Sequence, residues 1–177
     1  MNEPLDKRVL HSQAVMRDFS ELLQSLFAME LLKPSVEMWV ISAWLGDMPI
    51  LHNEAGEFSS VVPQWDRGRI RLTQILTYLT SMGSILYVMT NAEPYNNSIR
   101  DFLHNLQRQF PERVHYRTHP DLHEKLLIGD GYCLSGSSNL TYSGVHRNIE
   151  RVQLDTLKAD VAEARITWRH RWQEGEA

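Results

Sequence analysis

Two stretches of this chain are almost continuously apolar and too short for helices of ordinary length. They are residues 36–44 (VEMWVISAW) and 85–90 (ILYVMT). Short runs rich in β-branched and aromatic residues read as strands buried on both faces. Such strands need a layer of structure above and another below. Helical stripes that could supply those layers lie around them. Residues 14–32 carry Met16, Phe19, Leu22, Leu23, Leu26 and Phe27 at helical spacing. Residues 68–82 carry Ile70, Ile75, Leu76 and Leu79, and residues 97–110 carry Ile99, Phe102, Leu103 and Leu106. Residues 157–172 place Leu157, Val161, Ala164, Trp168 and Trp172 on one face. Short strands are expected at 114–118, 125–129, 132–134 and 149–154, with a turn at Asp130-Gly131. The alternation predicts an α/β fold, a mixed β-sheet flanked by helices.

Local signals place the boundaries. Pro34 ends the first helix, because the residue before a proline is pushed out of the helical region. Gly83 suits the end of the second, Asn96 or Asn97 can cap the third, and Pro111 stops it. Residues 45–66 hold Gly46, Pro49, Gly56 and Pro63 and predict no long regular element. The 177 residues read as one domain, with an N-terminal helical segment at 1–33 and a C-terminal helix at 156–177.

Composition removes several function classes. Lys and Arg number 18 against 22 Asp and Glu, a net charge of −4. Coating nucleic acid or an anionic membrane by bulk charge is excluded, so any phosphate binding must be local. The single cysteine, Cys133, excludes an internal disulfide framework and a Cys-based zinc site. No apolar run approaches the roughly 20 residues that span a bilayer, and the first residues do not form a signal-peptide core. A cytoplasmic protein with no membrane partner is the expectation.

The chemistry concentrates in residues 121–150. His123 and Lys125 stand two apart at the start of an expected strand, where both would project from one face. A nucleophile or base beside a fixed cation suits an anionic centre such as phosphate. Asp130 follows, and then the run Gly136-Ser137-Ser138-Asn139 after the next strand. Ser138 and Asn139 can donate to non-bridging oxygens, although both residue types also favour plain turns. Glu150 can hold His123 by its other ring nitrogen, or be a solvated carboxylate beside Arg147 or Arg151.

At these residues the sequence resembles the phospholipase D superfamily. His123, Lys125 and Asp130 match its H-x-K-x4-D motif, and Gly136, Ser138 and Asn139 match its G-S-x-N segment. Glu150 lies where family members often place an acid that supports the histidine. The resemblance implies an α-β-α sandwich and a metal-independent phosphodiesterase that needs no cofactor. One motif histidine attacks phosphorus, a second protonates the leaving oxygen, and water releases the product. Lys125, Ser138 and Asn139 would bind the phosphoryl oxygens, while Asp130 and Gly136 would be structural. The chain holds one such motif and only four lysines. The two-histidine mechanism therefore implies a homodimer, with His123 supplied by each subunit. Short single-motif members of the superfamily are mostly nucleases. Residues 42–51 (SAWLGDMPIL) and 134–145 (LSGSSNLTYSGV) also look like the DpdK type. Its members accompany gene clusters that place 7-deazaguanine bases in DNA. That likeness implies a DNA-acting nuclease of a restriction system, with other components of a complex as partners. A phosphate-pocket binding module that acts only within a complex, and a phospholipid phosphodiesterase, are the alternatives.

Other clusters have plainer readings. His115, His119 and His123 fall four apart, but Pro120 interrupts the helix on which that spacing would converge on a metal. Arg67, Arg69 and Arg71 could meet DNA phosphates or form a solvated helix start. The WRHRW run at 168–172 could bind nucleic acid, but its two Trp continue an apolar stripe and point to packing. Trp44 and Asp47 open the long loop and could reach a substrate, and Tyr142 could stack a base.

Overall fold

Strand β2 (Glu37–Ser42) is apolar from Met38 to Ile41 because alternate residues enter two different cores. Met38 and Val40 join one, while Trp39 and Ile41 join the other. Strand β5 (Ile85–Thr90) repeats the division, with Leu86 and Val88 on one face and Tyr87 and Met89 on the other. The computed structural model describes residues 7–10, 14–146 and 151–174.

A seven-stranded mixed sheet runs in the order β1-β9-β8-β7-β2-β5-β6. The remaining strands are β1 (Lys7–Leu10), β6 (Val114–Thr118), β7 (Lys125–Ile128), β8 (Cys133–Gly136) and β9 (Val152–Asp155). β2, β5 and β6 are parallel, and β2-β7-β8-β9-β1 pair antiparallel. One face is covered by α1 (Ala14–Leu32), α2 (Leu72–Ser81) and α3 (Asn97–Gln109). Phe27, Leu31, Ile75, Leu79 and Leu103 are fully buried there. The other face is covered by α5 (Lys158–Glu174), through Val161, Trp168 and Trp172. The expected α/β class, helices on both faces of a mixed sheet, is what the chain forms. Among the described residues no helix is long and apolar enough to cross a membrane.

Several boundaries differ from the sequence reading. Residues 68–71 are a strand, β4 (Gly68–Arg71), which pairs with β3 (Pro49–Asn53). The second helix therefore starts only at Leu72. Ile70 fits the helical stripe by spacing, but it is buried from the strand. The 1–33 segment is not wholly helical, since β1 precedes α1 and pairs with β9. Asn96 does not cap α3 with its side chain. That side chain holds the loop after β2 instead: its Oδ1 accepts from Leu45 N–H at 2.9 Å, and its Nδ2 donates to Ala43 O at 2.9 Å.

The WRHRW run packs, as its spacing indicated. Trp172 meets Trp39 edge-on at 5.8 Å and Tyr87 at 5.3 Å. Arg169 pairs with Glu37 at 2.6 Å, and Arg117 lies 4.6 Å over the Trp172 ring.

Candidate active site

The carboxyl ends of β2, β5 and β8 and the amino ends of β7 and β9 form one rim of the sheet. Ser42, the last residue of β2, stands opposite Lys125, the first residue of β7. Loops that leave or enter these ends carry Trp44, Tyr95, His123 and Asn139. Open α/β sheets gather ligand contacts at such an edge, because loops there can vary without disturbing the core.

His123 lies just outside β7, not within it, so the shared strand face expected for His123 and Lys125 does not exist as such. The residue is exposed and is held from both sides. Leu122 before it is buried in the α5-side core. Lys125 after it starts β7 and donates from Nζ to the His123 carbonyl oxygen. An ammonium carries three protons, so two remain for a ligand. Glu124 lies between these residues and forms an ion pair with Arg171 of α5. That pairing neutralises the one carboxylate between His123 and Lys125.

Asn139 is oriented by its neighbours. The backbone N–H of Trp44 can only donate, and it reaches Asn139 Oδ1 at 3.2 Å. The amide oxygen is thereby turned inward, and the NH2 group is left as a donor. Ser42 sets the frame. Its hydroxyl donates to Trp44 O at 2.7 Å and accepts from Leu140 N–H at 3.1 Å, with Asn139 Oδ1 at 3.4 Å. Ser42 is fully buried. The SAWLGDMPIL stretch begins with it without giving it a role, yet it ties the end of β2 to the Asn139 loop. A serine ending an otherwise apolar strand was the available signal.

Ser138 differs from the simple phosphate donor the sequence suggested. Its buried hydroxyl donates to Gly144 O at 2.8 Å, so its proton is committed to α4 (Tyr142–His146). It shapes the loop that presents Asn139. The two glycines around it are required by close approach. A Cβ on Gly136 would lie 2.2 Å from Arg151 O, and one on Gly144 would lie 2.2 Å from Asn139 O.

Asp130 lies beyond the opposite end of β7, whose Lys125–Ile128 span is about 10 Å of strand. Its Oδ2 accepts from Val36 N–H at 2.9 Å, and its Oδ1 pairs with Arg165 at 3.2 Å. It fastens α5 and the start of β2 to the β7–β8 turn. Buried Glu30 lies near it and accepts from the N–H and the hydroxyl of Ser35, both at 2.7 Å. Burial raises the Glu30 carboxyl above its ordinary value, against the lowering effect of those hydrogen bonds. Burial also pushes the Cys133 thiol up to about 11, so it stays protonated near neutrality.

Glu150 and Arg147 lie outside the described residues. Arg69 and Arg71 belong to β4, and Arg71 is at the same time the N-cap of α2. Arg71 pairs with Asp47 at 2.7 Å and Arg69 with Glu54 at 3.8 Å. His115 stacks on Tyr87 at 4.8 Å, while His119 accepts from Asp121 N–H at 3.2 Å.

No protein-family signature matches the chain, and no curated protein matches it in sequence. Solved structures do match in fold. A phospholipase D family member, Nuc from Salmonella typhimurium, superposes with a TM-score of 0.60 at 13% identity, covering 94% of this chain and 93% of that one. NucT from Helicobacter pylori gives 0.58 at 10% identity, covering 94% and 95%. Phosphatidylserine synthase from Haemophilus influenzae gives 0.55 at 12%, covering 91% of this chain and 35% of that one. At these identities the likeness establishes a shared fold.

Proposed function

We propose that the protein is a metal-independent phosphodiesterase acting on nucleic acid. The observation that carries this reading is the rim itself. An exposed His123 and the Lys125 ammonium stand at the edge where buried Ser42 pins the Asn139 loop, and the Trp44 N–H on Asn139 Oδ1 leaves its NH2 as a donor. A nucleophile with preorganised donors around a phosphoryl group is what phosphodiester cleavage requires. The H-x-K-x4-D and G-S-x-N matches, on a fold shared with Nuc and NucT, support the same reading.

The chemistry needs two histidines. A ring nitrogen of His123 attacks phosphorus and forms a P–N bond, and the P–O bond to the leaving group breaks. His123 of the partner subunit, protonated, gives its proton to the departing oxygen. Water then attacks phosphorus and gives a proton back to that second histidine. The P–N bond breaks and a phosphomonoester leaves. Lys125 and Asn139 hold the non-bridging oxygens, Ser138 shapes the loop, and Glu150 orients the histidine. Asp130 and Gly136 act through the scaffold. The working unit is thus a homodimer. DNA is the favoured substrate, in a cytoplasmic restriction setting of the kind that the DpdK likeness implies.

The intermediate is directly testable. The full chain is mixed in EDTA with a phosphate-labelled oligonucleotide, denatured in alkali and digested. An acid-labile label on the peptide holding His123, absent in His123→Ala, is the expected result. Cleavage that persists in His123→Ala would overturn the mechanism. Transfer from a phospholipid but not from an oligonucleotide would move the substrate to lipid.

A further inference from the structure

The rim carries two exposed aromatic rings that the phosphodiesterase chemistry does not use. Trp44 is 48% exposed and Tyr95 59%. Their ring centroids lie 6.3 Å apart at an interplanar angle of 49°, a tilted pair that does not close face to face. A single exposed aromatic residue needs no explanation. These two differ because the backbone beneath them is fixed by buried polar groups.

Trp44 donates its N–H to Asn139 and accepts at its carbonyl from Ser42. The next residue, Leu45, donates its N–H to buried Asn96, which adjoins Tyr95. Gly46 N–H reaches Leu140 O at 2.9 Å. The Tyr95 hydroxyl overhangs Gly46, where a Cβ would lie 3.3 Å from it. Trp44 therefore stands on the segment that orients Asn139, and Tyr95 on the segment that holds the Trp44 loop. A shallow pocket beside them is lined by Gly46, Asp47, Arg71, Tyr95 and Tyr142. Asp47 fixes Arg71 there, through its carboxylate at 2.7 Å and its carbonyl oxygen.

We propose that Trp44 and Tyr95, with Arg71 and Tyr142 beside them, form a stacking subsite for an unpaired nucleobase next to the phosphate site. The proposal rests on the phosphodiesterase reading and narrows its substrate to a single or locally opened strand. Aromatic faces stack any base, but a duplex keeps its bases stacked inside. Stacking also supplies affinity that a chain of net charge −4 cannot draw from bulk attraction. Binding should accordingly depend only weakly on salt, since few counterions are released.

The test uses the full chain carrying His123→Ala, so that substrate persists. Fluorescence anisotropy compares a short oligothymidylate, an abasic strand of the same length and a duplex. The abasic strand and the duplex should each bind at least about fivefold more weakly than the oligothymidylate. Trp44→Ala and Tyr95→Ala should lose a similar factor toward the oligothymidylate, while Trp44→Phe retains most of it. Equal affinity for the abasic strand, or undiminished binding by both alanine variants, would overturn the subsite. Cleavage by the unsubstituted protein is followed in parallel. Base-dependent binding without any cleavage would support the subsite and remove the phosphodiesterase reading. Cleavage with base-indifferent binding would do the reverse.

Discussion

The two ends of β7 carry the same sequence motif and opposite chemistry. At the amino end, Lys125 is followed outward by exposed His123, and the half-buried Asn139 amide, its oxygen taken by the Trp44 N–H, keeps its NH2 group as a donor. At the carboxyl end, Asp130 and Glu30 are both committed, to Val36 and Arg165 and to Ser35 respectively. The first end leaves donors and an exposed imidazole, the groups that the proposed phosphodiesterase would turn on its ligand. The second spends its polar groups on holding β2, β7 and α5 together. Under the proposed function, H-x-K-x4-D is therefore half site and half scaffold, and the strand between spaces the halves.

Breaking the open end should give the largest effects. His123→Ala should lower phosphodiester cleavage by roughly a thousandfold or more, with thermal stability unchanged. Asn139→Ala should cost about a hundredfold, chiefly in kcat, because it removes one preorganised donor. Steady-state kinetics beside a thermal melt separates both from misfolding.

Scaffold substitutions should be read in stability instead. Gly136→Ala forces a methyl group against Arg151 O and should cost at least about 2 kcal/mol. Gly131→Ala, with open space around it, should stay within about 0.5 kcal/mol in urea unfolding. Asp130→Ala should cost about 1–2 kcal/mol, mainly the Val36 hydrogen bond, since its Arg165 pair is partly solvated.

The smallest effect is a pH slope. The Glu30 carboxyl is raised in the folded state, so the fold favours its protonated form. Its stabilising contribution is full below the ordinary glutamate value and is lost as pH rises through the folded value. The stability of the unsubstituted protein relative to Glu30→Gln should fall across that window. Parallel stability–pH curves would remove Glu30 from the account.

The layered fold was legible because burial on two faces leaves an unbroken apolar run, as in β2 and β5. The β3–β4 hairpin was not, because Ile70 suits a helical stripe and a strand equally and pairing with 49–53 decides between them. β1 is polar enough to pass for a loop, and it is a strand because β9 offers an edge. At the site, His123, Lys125 and Asn139 were legible as residue types at a spacing. Ser42 and Asn96 were not, since their roles arise from contacts across the chain: Ser42 meets Leu140, and Asn96 meets Ala43 and Leu45. Ser138 was legible by position, but the direction of its hydroxyl depends on where α4 packs.

The most direct test of this division runs His123→Ala and Asp130→Ala side by side on one single-stranded oligonucleotide in EDTA, with urea unfolding of each. A stable, inactive His123→Ala protein and a less stable Asp130→Ala protein that still cleaves are expected. A folded Asp130→Ala protein without activity, or an active His123→Ala protein, would contradict this division.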